Sequence, residues 1–287
     1  MHQRSKQSKP GSVLYSILLF LLLAVFCVSL FFVARYALDS LRQESRYDEL
    51  AAIVDAAKTE PPPESPSEPV QTEDAVIPPV TDVPEAEAEI APPTQPPILP
   101  EYAPVYELNP DMVGWISIEN SRINYPVMQT PNDPDYYLHL NFDRKDSSRG
   151  CIYADEKCDL TTPSDNIILY GHNMMDGSMF AALLNYTHSS YWESHRYIRF
   201  DTLTEYHTYE VFAVFATSAS VGKGFRYHTF VDAENQGNFD EFVSQCISLS
   251  LYDTGIVPEY GDKLLCLSTC EYSHDNGRLV VVAVRIE

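Results

Sequence analysis

Basic residues are scarce in this chain. Lys and Arg number 19 against 41 Asp and Glu, a formal net charge of −22 at pH 7. Nucleic-acid binding depends on clustered cations that neutralise phosphates, and no basic stripe crosses the sequence, so that class of partner is excluded. Cysteine is sparse as well. The six cysteines, Cys27, Cys151, Cys158, Cys246, Cys266 and Cys270, are too few and too scattered for a disulfide scaffold. Neither CxxC nor HExxH occurs, so metal-ligand spacing is lacking and no metal or cofactor is expected.

What is present falls into contrasting stretches. Residues 13–34 form an uncharged apolar run of about 22 residues, enough to cross a bilayer as a helix. A cleaved signal peptide would have a shorter apolar core, about 7–15 residues, and a small-residue cleavage site, which does not follow here. Arg4, Lys6 and Lys9 in residues 1–12 predict a cytoplasmic N-terminus by the positive-inside rule, with the rest of the chain outside the cell membrane. Residues 35–58 carry Leu50, Ile53, Val54 and Ala57 at helical spacing and predict a juxtamembrane helix that spaces the remainder from the lipid. Residues 59–104 are dominated by Pro, Glu and Asp and contain no Lys or Arg. Such a segment buries too little apolar surface to offset its ordering entropy and is expected to be a disordered, extended stalk.

Around Tyr102 the composition becomes that of a globular domain, taken as 105–287, ample for one core. Short strand-like runs follow one another at 114–118, 123–128, 151–154, 166–170, 197–201, 206–217, 263–269 and 279–286, with Gly, Pro, Asn and Asp between them. That pattern predicts a mostly-β domain, an antiparallel barrel or sandwich. Helical spacing interrupts it at 178–184 and at 238–251, where Phe239, Phe242, Val243, Cys246 and Leu249 share one face.

The last two strands carry the candidate chemistry. Cys270 ends one, Asn276 and Gly277 mark the turn, and Arg278 opens the next, so a thiol and a guanidinium face each other across a hairpin. A cysteine thiolate transfers acyl groups when an acid protonates the departing amine, and histidine exchanges protons near neutrality. Of eight histidines, His172 follows an apolar strand directly, in NIILYGHNM, whereas His139, His188, His195, His207 and His228 lie in polar stretches. His274, in the hairpin turn, is the rival. Arg278 stays charged at any relevant pH and presents a rigid fork of donors to a developing oxyanion. Against this stands the ordinary role of a buried cysteine as a small hydrophobe and of an arginine as a solvated cation.

LSTCEYSHDNGR resembles the signature of the sortases, cysteine transpeptidases of Gram-positive cell surfaces, which reads TLxTC with an Arg shortly downstream. Leu267, Thr269, Cys270 and Arg278 match, and Cys266 stands where the family usually has Thr. LYGHNM at 169–174 resembles the histidine segment of class B members. NPDMVGWISI, INYPVMQ, YYL and GCIYAD extend the likeness upstream in the family's order, and the helical stretch 238–251 falls where class B carries a helix before the cysteine strand.

The resemblance implies a sortase-like eight-stranded β-barrel with a few inserted helices, and a transpeptidase mechanism. Cys270 would attack the Thr carbonyl of a C-terminal sorting motif on a secreted protein, forming a thioester. His172 would protonate the leaving amine and later deprotonate an incoming amine from a cell-wall precursor or a pilin. Arg278 would stabilise the oxyanion with the Glu271 backbone N–H. Ser268, Thr269, Glu271 and Tyr170 are the candidate substrate-binding residues, and specificity is expected mainly from the helix-bearing connection before Asp262. Competing readings are a stalked ligand-binding module with a structural cysteine, and a sortase-like protease that hydrolyses its acyl-enzyme. Cys151 and Cys158 flank a short loop and could pair. Cys266 and Cys270 are ~13 Å apart along an extended strand, too far for a disulfide, so Cys270 is expected to be a free thiol.

Overall fold

The computed structural model describes residues 10–59, 96–220, 222–271 and 276–287. Most of the Pro/Glu-rich stretch, and His274, lie outside these residues. The chain divides into two compact units, residues 1–50 and 51–287.

In the first unit the chain is helical from Pro10 onward, part of one unbroken helix, α1 (Pro10–Thr59), with no break between the apolar run and the segment expected to be a separate juxtamembrane helix. Large apolar side chains from Leu14 to Val33 are exposed, and the helix is long and apolar enough to cross a membrane. In the second unit the last turns of α1 bury Val54. The barrel domain takes in residues ahead of 105: Leu99 N–H donates to the Leu203 carbonyl at 2.7 Å, and Glu101 and Tyr102 are buried.

Eight strands close into a barrel in the order β1-β2-β3-β4-β7-β8-β6-β5. They are β1 (Met112–Ser117), β2 (Asn124–Met128), β3 (Ile152–Ala154), β4 (Asn166–Tyr170), β5 (Tyr197–Thr202), β6 (Thr208–Ser218), β7 (Leu264–Glu271) and β8 (Gly277–Arg285). The expected antiparallel barrel needs one correction, because β2–β3 and β4–β7 pair in parallel. Parallel neighbours need long crossovers, and the chain between β4 and β7 supplies one. Short helices that the sequence did not signal are α2 (Ala103–Leu108), α3 (Tyr136–His139) and α4 (Ser189–Ser194). The expected helix at 178–184 is a 3₁₀ helix, Ala181–Thr187, and that at 238–251 is α5 (Gln236–Leu249), capped by Asn235 accepting from Asn238 N–H at 3.1 Å.

Side-chain alternation divides β7 between two environments. Leu265 and Leu267 are in register with Ile167 and Leu169 on β4 and with Ala283 and Val281 on β8, all buried. The opposite face carries Leu264 and Cys266, which join Ile168, Val280, Val282 and Val284 in a cluster with Phe239, Phe242, Val243 and Cys246 of α5. Burying each large apolar side chain of that helix contributes about 1.5–3 kcal/mol. Cover on this face continues to Ser268, whose hydroxyl meets Tyr227 OH at 2.6 Å. Two residues on, at Cys270, the strand becomes half-buried.

Candidate active site

Strand register brings the three expected residues to one end of the barrel. On the parallel β4–β7 pair Tyr170, the last residue of β4, is aligned with Ser268, and His172 follows two residues on. On the antiparallel β7–β8 pair Cys270 stands directly opposite Arg278, the arrangement in which side chains on one face of a sheet touch. The backbone is closely packed at both flanks of the site. A Cβ on Gly171 would come within 2.5 Å of Ile152 Cδ1 and 2.7 Å of Phe180, and one on Gly277 within 2.4 Å of the Glu271 carbonyl oxygen. Both are approaches that only glycine permits.

His172, Cys270 and Arg278 line one cleft of about 450 Å³. The Nε2 of His172 lies 3.0 Å from the Leu138 carbonyl oxygen at α3. A carbonyl only accepts, so Nε2 carries the proton and Nδ1 is the basic nitrogen of the neutral ring. Asn173 Nδ2 donates to the Cys270 carbonyl at 3.1 Å, tying the histidine loop to the cysteine strand. Arg278 Nη1 donates to the Asn276 carbonyl at 3.4 Å, the Asn276 side-chain oxygen at 3.1 Å and the Gly277 carbonyl at 3.0 Å.

The four flanking candidates divide. Tyr170, Ser268 and Thr269 line the cleft, whereas Glu271 at the end of β7 is outside that lining. Thr269 is buried and donates through Oγ1 to the Gly171 carbonyl at 2.8 Å, supporting the segment that leads into His172. Tyr170 OH donates to Asp155 at 2.9 Å, and burial followed by the Asp155 charge pushes its phenol pKa up, so it stays a protonated donor. Of the connection before Asp262, Tyr227 and His228 reach the cleft while α5 packs on the sheet. Burial, with opposing smaller influences, raises the Tyr227 phenol to about 12. His228 is depressed by burial and by the nearby Arg226 and Lys157 charges.

Sequence reasoning missed Leu138, Tyr153, Asp155, Tyr227 and His228 as cleft residues. YYL and GCIYAD contain three of them, so the signal was present as upstream motifs, without a role attached. Tyr227 and His228 lie beyond any such motif. All six cysteines are free, and the possible Cys151–Cys158 pair is not formed. Their thiols point to separate partners: Cys151 Sγ donates to the Leu140 carbonyl at 3.4 Å, and Cys158 Sγ to the Asn166 carbonyl at 3.5 Å. Burial raises Cys158 to about 12, keeping it an inert thiol.

The sortase-domain family model matches residues 116–286. The chain belongs to the sortase family. Sortase B of Staphylococcus aureus is 32% identical over 188 residues, covering 65% of this chain and 75% of that protein. Sortase B of Listeria monocytogenes is 33% identical over 184 residues, covering 63% and 72%. The solved S. aureus sortase B–substrate complex superposes with a TM-score of 0.68 at 25% identity, covering 87% of this chain and 99% of that one. The chain is therefore a sortase-type cysteine transpeptidase of the class B kind, and its family acts in cell-wall sorting.

Proposed function

We propose that this sortase is held to the cell membrane by α1, with a cytoplasmic N-terminus, and attaches secreted proteins to an amine of the cell wall or of a pilin subunit. The supporting observation is that His172, just past the end of β4, lines one cleft with Cys270 and with Arg278, which stands opposite Cys270 on the antiparallel β7–β8 pair.

The Cys270 thiol gives its proton to His172 Nδ1, and the resulting thiolate attacks the carbonyl carbon of the Thr in a C-terminal sorting motif. The negative charge passes to the carbonyl oxygen, where the Arg278 guanidinium and the Glu271 backbone N–H stabilise it. As the tetrahedral intermediate collapses, the C–N bond breaks and His172 gives its Nδ1 proton to the departing amine. The thioester then meets an incoming amine. His172 takes a proton from that amine, the new C–N bond forms, and the thiolate leaves. Asp135, Asp155 and Glu156 also line the cleft, opposite in charge to Arg278.

A fluorogenic sorting peptide offered with and without an amine nucleophile tests the reading. Wild-type enzyme is expected to cleave the peptide and to ligate the amine, and Cys270→Ala is expected to do neither. Turnover retained by Cys270→Ala removes that thiol from the nucleophile role. Cleavage with no ligated product makes the enzyme a hydrolase.

A further inference from the structure

The ring of His172 is oriented from two sides: by the carbonyl that receives its Nε2 proton, and by the loop that leaves it. One side leads back to a buried side chain, Arg149, and the other to the turn that carries it. Arg149 is 3% exposed and lies in the segment entering β3. Its Nη1 donates to Ser178 Oγ at 2.8 Å, and its Nη2 is ion-paired with the Asp176 carboxylate. The other Asp176 oxygen accepts from the Ser178 backbone N–H at 3.1 Å and from Ser178 Oγ at 2.7 Å. Arg122 holds the same loop through the Asp176 carbonyl at 2.6 Å, and Phe180 N–H closes it on the His172 carbonyl at 2.9 Å.

The backbone around Arg149 carries the other side. Ser147 N–H donates to the His139 carbonyl at 2.8 Å, and Cys151 N–H donates to the Tyr137 carbonyl at 2.9 Å. These two bonds bracket Leu138, whose carbonyl receives His172 Nε2. Ser147 Oγ accepts from Arg149 and Gly150 N–H at 3.0 and 3.2 Å, fixing the turn between the brackets.

We propose that Arg149, through Asp176 and Ser178, is a positioning residue for His172: it locks the ring's tautomer and its aim at Cys270 without touching substrate. A planar fork suits this task because its donors are set at fixed angles, which an ammonium cannot reproduce. The proposal rests on His172 being the acid–base group. A small misplacement of such a group costs about 100-fold in rate.

The test uses the full enzyme with uniformly ¹⁵N-labelled histidine, and two measurements. Arg149→Met is expected to lower kcat by about 10–100-fold, the range seen when the partner that orients an active group is lost. KM is expected to stay nearly constant, and Arg149→Lys to recover part of kcat. The His172 ring nitrogens, assigned by difference against His172→Gln, are expected to report the Nε2–H tautomer in the wild type and a mixture in Arg149→Met. Ser178→Ala removes one bond and leaves the ion pair. It is expected to shift both readouts in the same direction by less, and it serves if Arg149→Met does not fold. Unchanged kcat and unchanged ring signals in a folded variant overturn the proposal. So does a loss of activity that only follows the fraction unfolded in thermal melts. If the wild type fails to cleave the peptide, the functional reading falls, whereas the ring signals still decide whether Arg149 sets the tautomer.

Discussion

The two arms that flank Cys270 are built differently. The histidine arm, 171–180, is tied to distant parts of the chain by Arg149, Arg122 and the Tyr125 hydroxyl, which accepts from Met179 N–H at 3.1 Å, and by Asn173 reaching the cysteine strand. On the arginine arm, Nη1 of Arg278 donates to atoms one or two residues away, Asn276 and Gly277. The difference matches the two tasks proposed for His172 and Arg278. A proton-transfer group must be aimed before the reaction, because its efficiency depends on distance and angle. An oxyanion stabiliser is needed only where charge develops, and local contacts are readily exchanged for substrate.

The comparison predicts unequal losses. His172→Ala removes the proposed acid and base together and is expected to lower kcat about 10²–10⁴-fold, with peptide binding little changed. Rapid mixing to follow acyl-enzyme formation and kcat separately would check it. The arms would exchange roles if His172→Ala kept activity and His274→Ala lost it.

Arg278→Lys is expected to cost less, about 10²–10³-fold in kcat, since the charge remains while the fork is lost. The measurement is kcat and KM on the same peptide. A rate near wild type would show that charge alone suffices, and the arginine arm would then need no geometry at all.

Much of this arrangement was legible in the sequence. β4 was read at its observed limits because 166–170 is a short apolar run bounded by Asp165 and Gly171, and both ends are chemically marked. Asn276, Gly277 and Arg278 likewise marked the final hairpin. The parallel pairing of β4 with β7 was invisible, because about a hundred residues separate strands that local periodicity reads one at a time. This pairing brings the end of β4, two residues before His172, alongside the cysteine strand, so the residues could be named from motifs while their placement could not. Arg149 was missed for a related reason. A single arginine in a polar turn has no pattern, and only burial distinguishes it from a solvated one. α3 escaped because four residues make too short a stretch for helical spacing to appear.

The smallest expected effect separates the histidine that is aimed from one that is merely enclosed. His207 is buried, its Nε2 has no hydrogen-bond partner among the described residues, and the Glu205 carboxylate is 3.5 Å away. Burial, then the Arg285 charge, depresses its pKa below the ordinary histidine value, while Glu205 and Asp201 oppose the shift less strongly. The unfolded chain therefore binds a proton at that position more readily than the folded one. Stability is full above the unfolded value of about 6.5 and is lost as pH falls through the folded value. Thermal melting from pH 8 to pH 5 is expected to show a falling Tm, and His207→Gln to flatten part of that slope. The same substitution is expected to leave the pH profile of kcat unchanged, because His207 belongs to the β5–β6 turn and not to the cleft. A shifted kcat profile in His207→Gln would mean that proton exchange at the site is not confined to the arm held by Arg149.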